Sequence, residues 1–279
     1  MTVIRREWFD VSRTDTWRLF PLGDVHLGNA ACDERLFKAV VQRIADDDQA
    51  LWIGLGDYAD FINRRDPRFT VDSLADWVTI RDLGDLACAQ RERFLDIVQP
   101  IAHKCLALVE GNHERAIYRH YERHIFGEIV AGIKDAGGFG ADHRLSLGYT
   151  GWLILAYHRS EKREGTGRIC VNLHHGFVGG RLAGAKALNM QRWLWNHDAD
   201  LVIFGHSHNT MSQIEAVEKV RGSQVAFDHR IGIFCGTFMN GAQYAQERGY
   251  MPLPKTSLEV LLQPRARERR DRIKVLSQG

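Results

Sequence analysis

Cysteine is scarce in this sequence: five in 279 residues, at positions 32, 88, 105, 170 and 235, with no CxxC pair. That argues against a disulfide framework or a thiolate metal site and implies a reduced, cytoplasmic chain. A surplus of one charge is missing too. Lys and Arg number 37 against 35 Asp and Glu, so no net field draws the chain to nucleic acid or membrane. No apolar run approaches the ~20 residues that span a bilayer. The opening stretch, MTVIRREWFD, has no apolar signal core. No internal repeat or low-complexity linker divides the chain. With 44% hydrophobic residues, residues 1–279 are expected to form one domain. It would carry a polar, helical insert at about 61–104 and a basic tail at about 264–279, the tail a frayed, solvated helix.

Histidine is abundant. There are 13, and many fall directly after apolar runs. The central case is Leu106 to Ile117, LALVEGNHERAI. Its apolar run reads as a buried strand, Gly111 permits a sharp turn, and Asn112, His113 and Glu114 follow. Ile117, Tyr121, Ile125, Ile129 and Ile133 then recur four apart, which predicts one helix ending near Lys134.

The same arrangement recurs along the chain. The strand Trp17 to Leu22 leads to Asp24-Val25-His26, whose Asp and His point the same way on an extended segment. LWIGL (51–55) ends in Gly56-Asp57-Tyr58-Ala59-Asp60. ICVNL (169–173) ends in His174-His175-Gly176, and DLVIF (200–204) in Gly205-His206-Ser207-His208. Gly151 to Tyr157 is a further strand, and Val225 to Phe238 reads as strand with a turn inside it. Helices are expected at Asp33 to Ala45, Leu83 to Ile101 and around Met190 to Trp195. The segment FVGGRLAGAK (177–186) is no P-loop, because Ala185 stands where lysine is required. It reads as a mobile loop beside the site. Asn63 to Arg68 reads as an exposed basic loop, either solvated or facing phosphate.

Ligand sites in α/β proteins lie at the carboxyl ends of strands. Those ends here carry Asp24/His26, Asp57, Asn112/His113, His174/His175 and His206/His208. Asp, Asn and His without thiolate suit Mn²⁺, Fe or Zn²⁺. They are too many for one ion. Two ions about 3.5 to 4 Å apart, bridged by one carboxylate, would use them all.

In the order DxH, GD, GNHE, H, GHxH, residues 23 to 208 resemble the calcineurin-like metallophosphoesterases, in particular stand-alone phage and bacterial members. The resemblance implies an α/β fold, a four-layer α-β-β-α sandwich of two mixed sheets with a dinuclear site at the strand ends. It implies Asp24, His26, Asp57 and His208 around one ion and Asp57, Asn112, His175 and His206 around the other, with Asp57 shared. His175 is preferred to His174 because it directly precedes Gly176. Manganese is the expected metal, with iron or zinc as alternatives. A water shared by the ions would attack phosphorus, His113 would protonate the leaving alkoxide, and Asp60 would orient His113. Arg115 and Arg181 are candidates by position for clamping phosphate. GDYADF lacks the arginine of the protein-phosphatase pattern GDxVDRG. A phosphodiester or phosphomonoester related to nucleotides or nucleic acid is therefore the expected substrate. The alternatives are a serine/threonine-type protein phosphatase and a non-catalytic scaffold, although a scaffold tends to lose ligands and here every position is filled.

Overall fold

Strands buried on both faces read as unbroken apolar runs, because neither face meets water. The computed structural model describes residues 1–62, 64, 66, 68–176, 183–240 and 257–278, and the runs become its central strands. In chain order the elements are β1 (Thr2–Trp8), β2 (Trp17–Leu22), α1 (Glu34–Ala45), β3 (Ala50–Gly54), α2 (Leu86–Val98), β4 (Cys105–Leu108), α3 (Asn112–Tyr121) and α4 (Ile125–Ala136). There follow β5 (Thr150–Tyr157), β6 (Gly167–His174), α5 (Ala183–Asn196), β7 (Leu201–Phe204), β8 (Thr210–Arg221), β9 (Gln224–Cys235), β10 (Ser257–Leu262) and β11 (Ile273–Gln278).

Two mixed sheets result, ordered β1-β5-β6-β7-β9-β8 and β11-β10-β2-β3-β4. Alternation along each strand divides the core. Leu19, Ile53, Leu155, Val171, Ile203 and Val260 point between the sheets. Phe20, Leu22, Trp52 and Leu108 point outward onto Phe37, Phe94 and Ile129 of three helices. Val202, Phe204 and Phe234 meet Met190 and Leu194 of α5 on the far side. The layers are therefore α-β-β-α, as the resemblance implied. The strands β2, β3 and β4 run parallel, as do β6, β7 and β9, so each sheet gathers several carboxyl ends at one edge. All five cysteines are free, and among the described residues no helix is long and apolar enough to cross a membrane.

The chain departs from expectation in several places. The helix predicted through Ile133 is two helices, broken where Glu122 turns left-handed at φ 55°. The apolar spacing runs across the break, which hides it. Residues 61–104 are helical mainly at the end. The helix α2 begins at Leu86, capped by Asp85, and passes into a 3₁₀ stretch, Gln99–Lys104. The basic tail is not a frayed helix, because β11 pairs along its whole length with β10. No turn interrupts β9, whose hairpin with β8 closes before it, at Gly222-Ser223. Of the loop expected at 177–186, residues 183–186 instead open α5, and 177–182, like Asn63, Arg65 and Pro67 of the basic loop, lie outside the described residues.

Candidate metal centre

The loops after β2 and β3 keep pairing beyond their strands. The amide of Asp24 donates to Gly56 O at 3.1 Å, and those of Val25 and His26 both donate to Asp57 O at 3.0 Å. This pairing holds a backbone that side chains resist. Asp24, His26, Asp57, His206 and His208 have φ of 50, 51, 52, 64 and 55°, the left-handed region. Each such residue costs about 1–2 kcal/mol. Asp24 and His26 are thus not on an extended segment. Their side chains converge because each backbone is turned.

Glu114 ties the next loop in. Its buried carboxylate accepts amides from Gly111 at 2.8 Å, Tyr58 at 2.9 Å and Asp57 at 3.0 Å. Burial, and then the charge of Asp57, raise this carboxyl to about 7. Gly111 is needed at the crossing, since a Cβ there would lie 2.2 Å from both the amide and the carboxylate of Asp57.

Three donor groups result: Asp24, His26 and His208; Asp57, His175 and His206; and His26, Asp60 and His113, which shares His26 with the first. Asp57 stands between the first two. Its Oδ2 lies 3.4 Å from His175 Nε2 and 3.8 Å from His26 Nε2, while its Oδ1 accepts the His113 amide at 3.0 Å. Asn112 joins the second group, with Oδ1 2.9 Å from His175 Nε2. His26 Nε2 and His208 Nε2 are 3.1 Å apart, and His208 Nε2 is 3.5 Å from Asp24 Oδ1.

The donor set fits a cation. His175 donates its Nδ1–H to Leu55 O at 2.6 Å, and its Nε2 faces two oxygens, Asp57 Oδ2 and Asn112 Oδ1. Lone pairs facing one another repel unless a positive charge lies among them. Donors sharing an ion at about 2.1 Å sit about 3.0 to 3.4 Å apart in octahedral or tetrahedral arrangement, and the separations here, 2.9 to 3.8 Å, span that range. Asp24 Oδ1 is buried with no hydrogen-bond partner. Burial drives the Asp24 carboxyl well above the usual range. Burial also pushes Asp57 up, but His175 and then His113 outweigh it and hold that carboxyl well below. Burial opposes charge on His175 as well, yet Asp57 carries it up to about 10. Burial and then His175 push His206 down to about 4. The unpartnered Asp24 oxygen and the convergence of Asp57, Asn112 and His175 atoms call for positive charge at one place.

The remaining predicted residues divide. His113 and Asp60 adjoin the first group, but the hydrogen bond from His113 Nδ1 goes to the backbone carbonyl of Asp60. The Asp60 carboxylate lies 4.0 Å from that nitrogen and 3.4 Å from His26 Nδ1, and is held by Asn29 Nδ2 at 3.1 Å. Arg115 stands at the rim, its guanidinium 5.0 Å over the Tyr149 ring, which meets His175 edge-on at 5.4 Å. Arg181 lies outside the described residues. His174 accepts the Gly176 amide through Nδ1 at 2.7 Å and packs against Trp193.

Sequence reasoning missed Asn29, Tyr149, Cys235 and Thr237. The hydroxyl of Thr237 donates to Asp24 O at 2.9 Å, and Cys235 Sγ lies 3.9 Å from Asp24 Oδ2. Cys235 ends β9 and Thr237 follows it, and β9 parallels β7, so the rule that found the other strand ends reaches them too. Tyr149 and Asn29 carry no such signal.

A family model described as calcineurin-like phosphoesterase matches residues 22–210. The chain belongs to that family, whose chemistry is phosphoester hydrolysis with divalent metal ions. No curated protein sequence matches it. Among solved structures it resembles a metallophosphoesterase from Sphaerobacter thermophilus at 12% identity and TM-score 0.40, over 94% of this chain and 88% of that one. It also resembles the calcineurin-like phosphoesterase YfkN from Bacillus subtilis at 9% identity and TM-score 0.40, over 95% and 90%. Vps29 complexed with Zn²⁺ from Entamoeba histolytica is similar at 11% identity and TM-score 0.40, over 94% and 98%.

Proposed function

We propose that residues 1–279 act as one metal-dependent phosphoesterase domain hydrolysing a phosphodiester or phosphomonoester related to nucleotides or nucleic acid. The observation that carries this reading is the pair of donor groups meeting at Asp57. In it Asp24, His26, Asp57 and His208 would hold one divalent ion, manganese first among the choices, and Asp57, Asn112, His175 and His206 would hold a second. Such ions, when bound, activate water near neutral pH and neutralise charge on phosphoryl oxygens.

The chain's own residues do the rest. The contact of Nδ1 with Leu55 O orients the His175 ring so that Nε2 faces Asp57 and Asn112. Glu114 and the paired loops hold the donors in place before substrate arrives, so no reorganisation is needed during reaction. His113 in its protonated form hands the Nε2 proton to the departing alkoxide oxygen, with Nδ1 anchored on the Asp60 carbonyl and the Asp60 carboxylate steadying the charge. Arg115 lies beside Tyr149, where a guanidinium can pair with a phosphoryl oxygen.

The test is hydrolysis of bis(p-nitrophenyl) phosphate and of a panel of mono-, di- and cyclic phosphate esters by the manganese-loaded protein. Turnover that vanishes with chelator and returns with manganese supports the proposal. A folded, metal-loaded protein inert toward every ester sinks it and leaves the scaffold reading.

A further inference from the structure

A second cleft opens at the other end of the sandwich. It measures about 500 Å³ and is lined by Asp10, Val11, Ser12, Arg13, Arg159 and Arg265. Three loops build it: the one after β1, the one after β5 and the one after β10. This end is where β2 begins, at Trp17, whereas the candidate metal centre lies past its other end. Six residues of strand separate the two by about 20 Å at 3.3 Å per residue.

The loops are fixed in place. The Val11 amide donates to His158 O at 2.9 Å, and Arg265 Nη1 donates to Val11 O. Gln263 Nε2 donates to Arg13 O at 3.0 Å. Ser12 and Asp15 close a turn, with the Ser12 amide donating to Asp15 Oδ2 at 2.8 Å and its hydroxyl to Oδ1 at 2.5 Å. Gly165 leaves room for the Arg265 guanidinium, since a Cβ there would lie 3.3 Å from Nη2.

The charge is answered only in part from within. Arg13 and Arg159 make no side-chain hydrogen bond or ion pair among the described residues. The Asp15 carboxylate, held by Ser12, keeps its charge and acts on Arg265, so Asp10 and Asp15 together oppose three guanidinium groups. Guanidinium forks pair with phosphate in bidentate fashion, and a cleft of this size matches a small ligand. The basic tail thus contributes to a defined place through Arg265.

We propose that this cleft binds a phosphate-bearing small ligand, at a site distinct from the metal centre. The inference does not depend on the enzyme reading above. The experiment is calorimetric titration of the full-length, metal-free protein with inorganic pyrophosphate and with ADP at low salt. One saturable site is expected, kept by Asp57→Asn and by the remote surface change Arg81→Ala. The double change Arg13→Ala and Arg159→Ala should weaken it at least about tenfold while the folded circular dichroism spectrum persists, charge-assisted pairs being the strong ones. Arg159→Glu alone should act in the same direction. Tighter binding of ADP than of pyrophosphate identifies a nucleotide, and equal binding identifies the diphosphate group itself. Absence of saturable binding overturns the proposal. So does binding that survives the double arginine change or is lost in Asp57→Asn.

Discussion

Two clusters of charge in this protein are built on opposite plans. Between α2 and α4, Arg123 reaches Asp85 at 2.7 Å and Glu128 at 2.8 Å, and Arg91 pairs with Glu128 and with Glu92 at 3.0 Å. Every carboxylate there faces a guanidinium, and all the groups keep some solvent. At the other cluster Asp24 and Asp57 are buried to 0 and 1% exposure, and only histidines lie within ion-pair distance among the described residues. A buried carboxylate without a permanent cation is costly, and left-handed backbone adds to the cost. The helical cluster is complete as the chain makes it. The one at the strand ends is not, and what completes it comes from outside.

Asp57→Ala tests that contrast most severely, because this side chain belongs to one donor group and lies 3.8 Å from His26 of another. Bound metal, measured by atomic emission, should disappear. Hydrolysis of bis(p-nitrophenyl) phosphate should fall by about 10³-fold or more. Full metal content in this variant would break the comparison. His113→Ala should separate the roles. Metal content should stay, while rate falls by about 10²- to 10⁴-fold, most for esters with poor leaving groups. Loss of metal in that variant would make His113 a ligand rather than an acid.

Glu114→Ala is the next step down. It leaves three buried amides, those of Asp57, Tyr58 and Gly111, without an acceptor. Each unmade bond costs about 1–3 kcal/mol, so denaturant unfolding should show a loss of about 3 kcal/mol or more. A loss below that of one hydrogen bond would mean the loops are held some other way.

Burial explains what could be read before the fold was known. The runs of β2, β3, β4, β6 and β7 are covered on both faces, so sequence marks them plainly, and the donors stand directly after them. The strands β1, β8 and β11 are sheet edges with water on one side, and their charged residues break any apolar run. In β10 the break is Glu259, buried to 2% and bound by Arg18 and Arg43. The spacing of Ile117 through Ile133 suggested one helix because both α3 and α4 bury that face. At the metal centre the donors follow a strand-end rule, whereas Asn29 and Tyr149 act only through contacts. The role of Glu114 also needs coordinates, since three amides from separate loops meet on it.

The smallest expected effect sharpens the comparison from its other side. Arg123→Ala removes the guanidinium that Asp85 and Glu128 share. Its side chain is 28% exposed, and those of Asp85 and Glu128 are 54% and 34%, so solvent screens the pairs. The cost should be about 1 kcal/mol or less, with hydrolysis unchanged. Hydrogen bonding to Arg123 holds the Glu128 carboxyl below its ordinary value despite partial burial. A carboxyl depressed in the folded state stabilises it above the unfolded pKa, about 4.3 for glutamate, and loses that contribution as pH falls through the folded value. The gap in unfolding free energy between wild type and Arg123→Ala should therefore be full at pH 7 and close in acid. A gap that persists undiminished in acid would assign the effect to packing of the arginine stem rather than to charge, and the helical cluster would no longer stand as the charge-matched half of the pair.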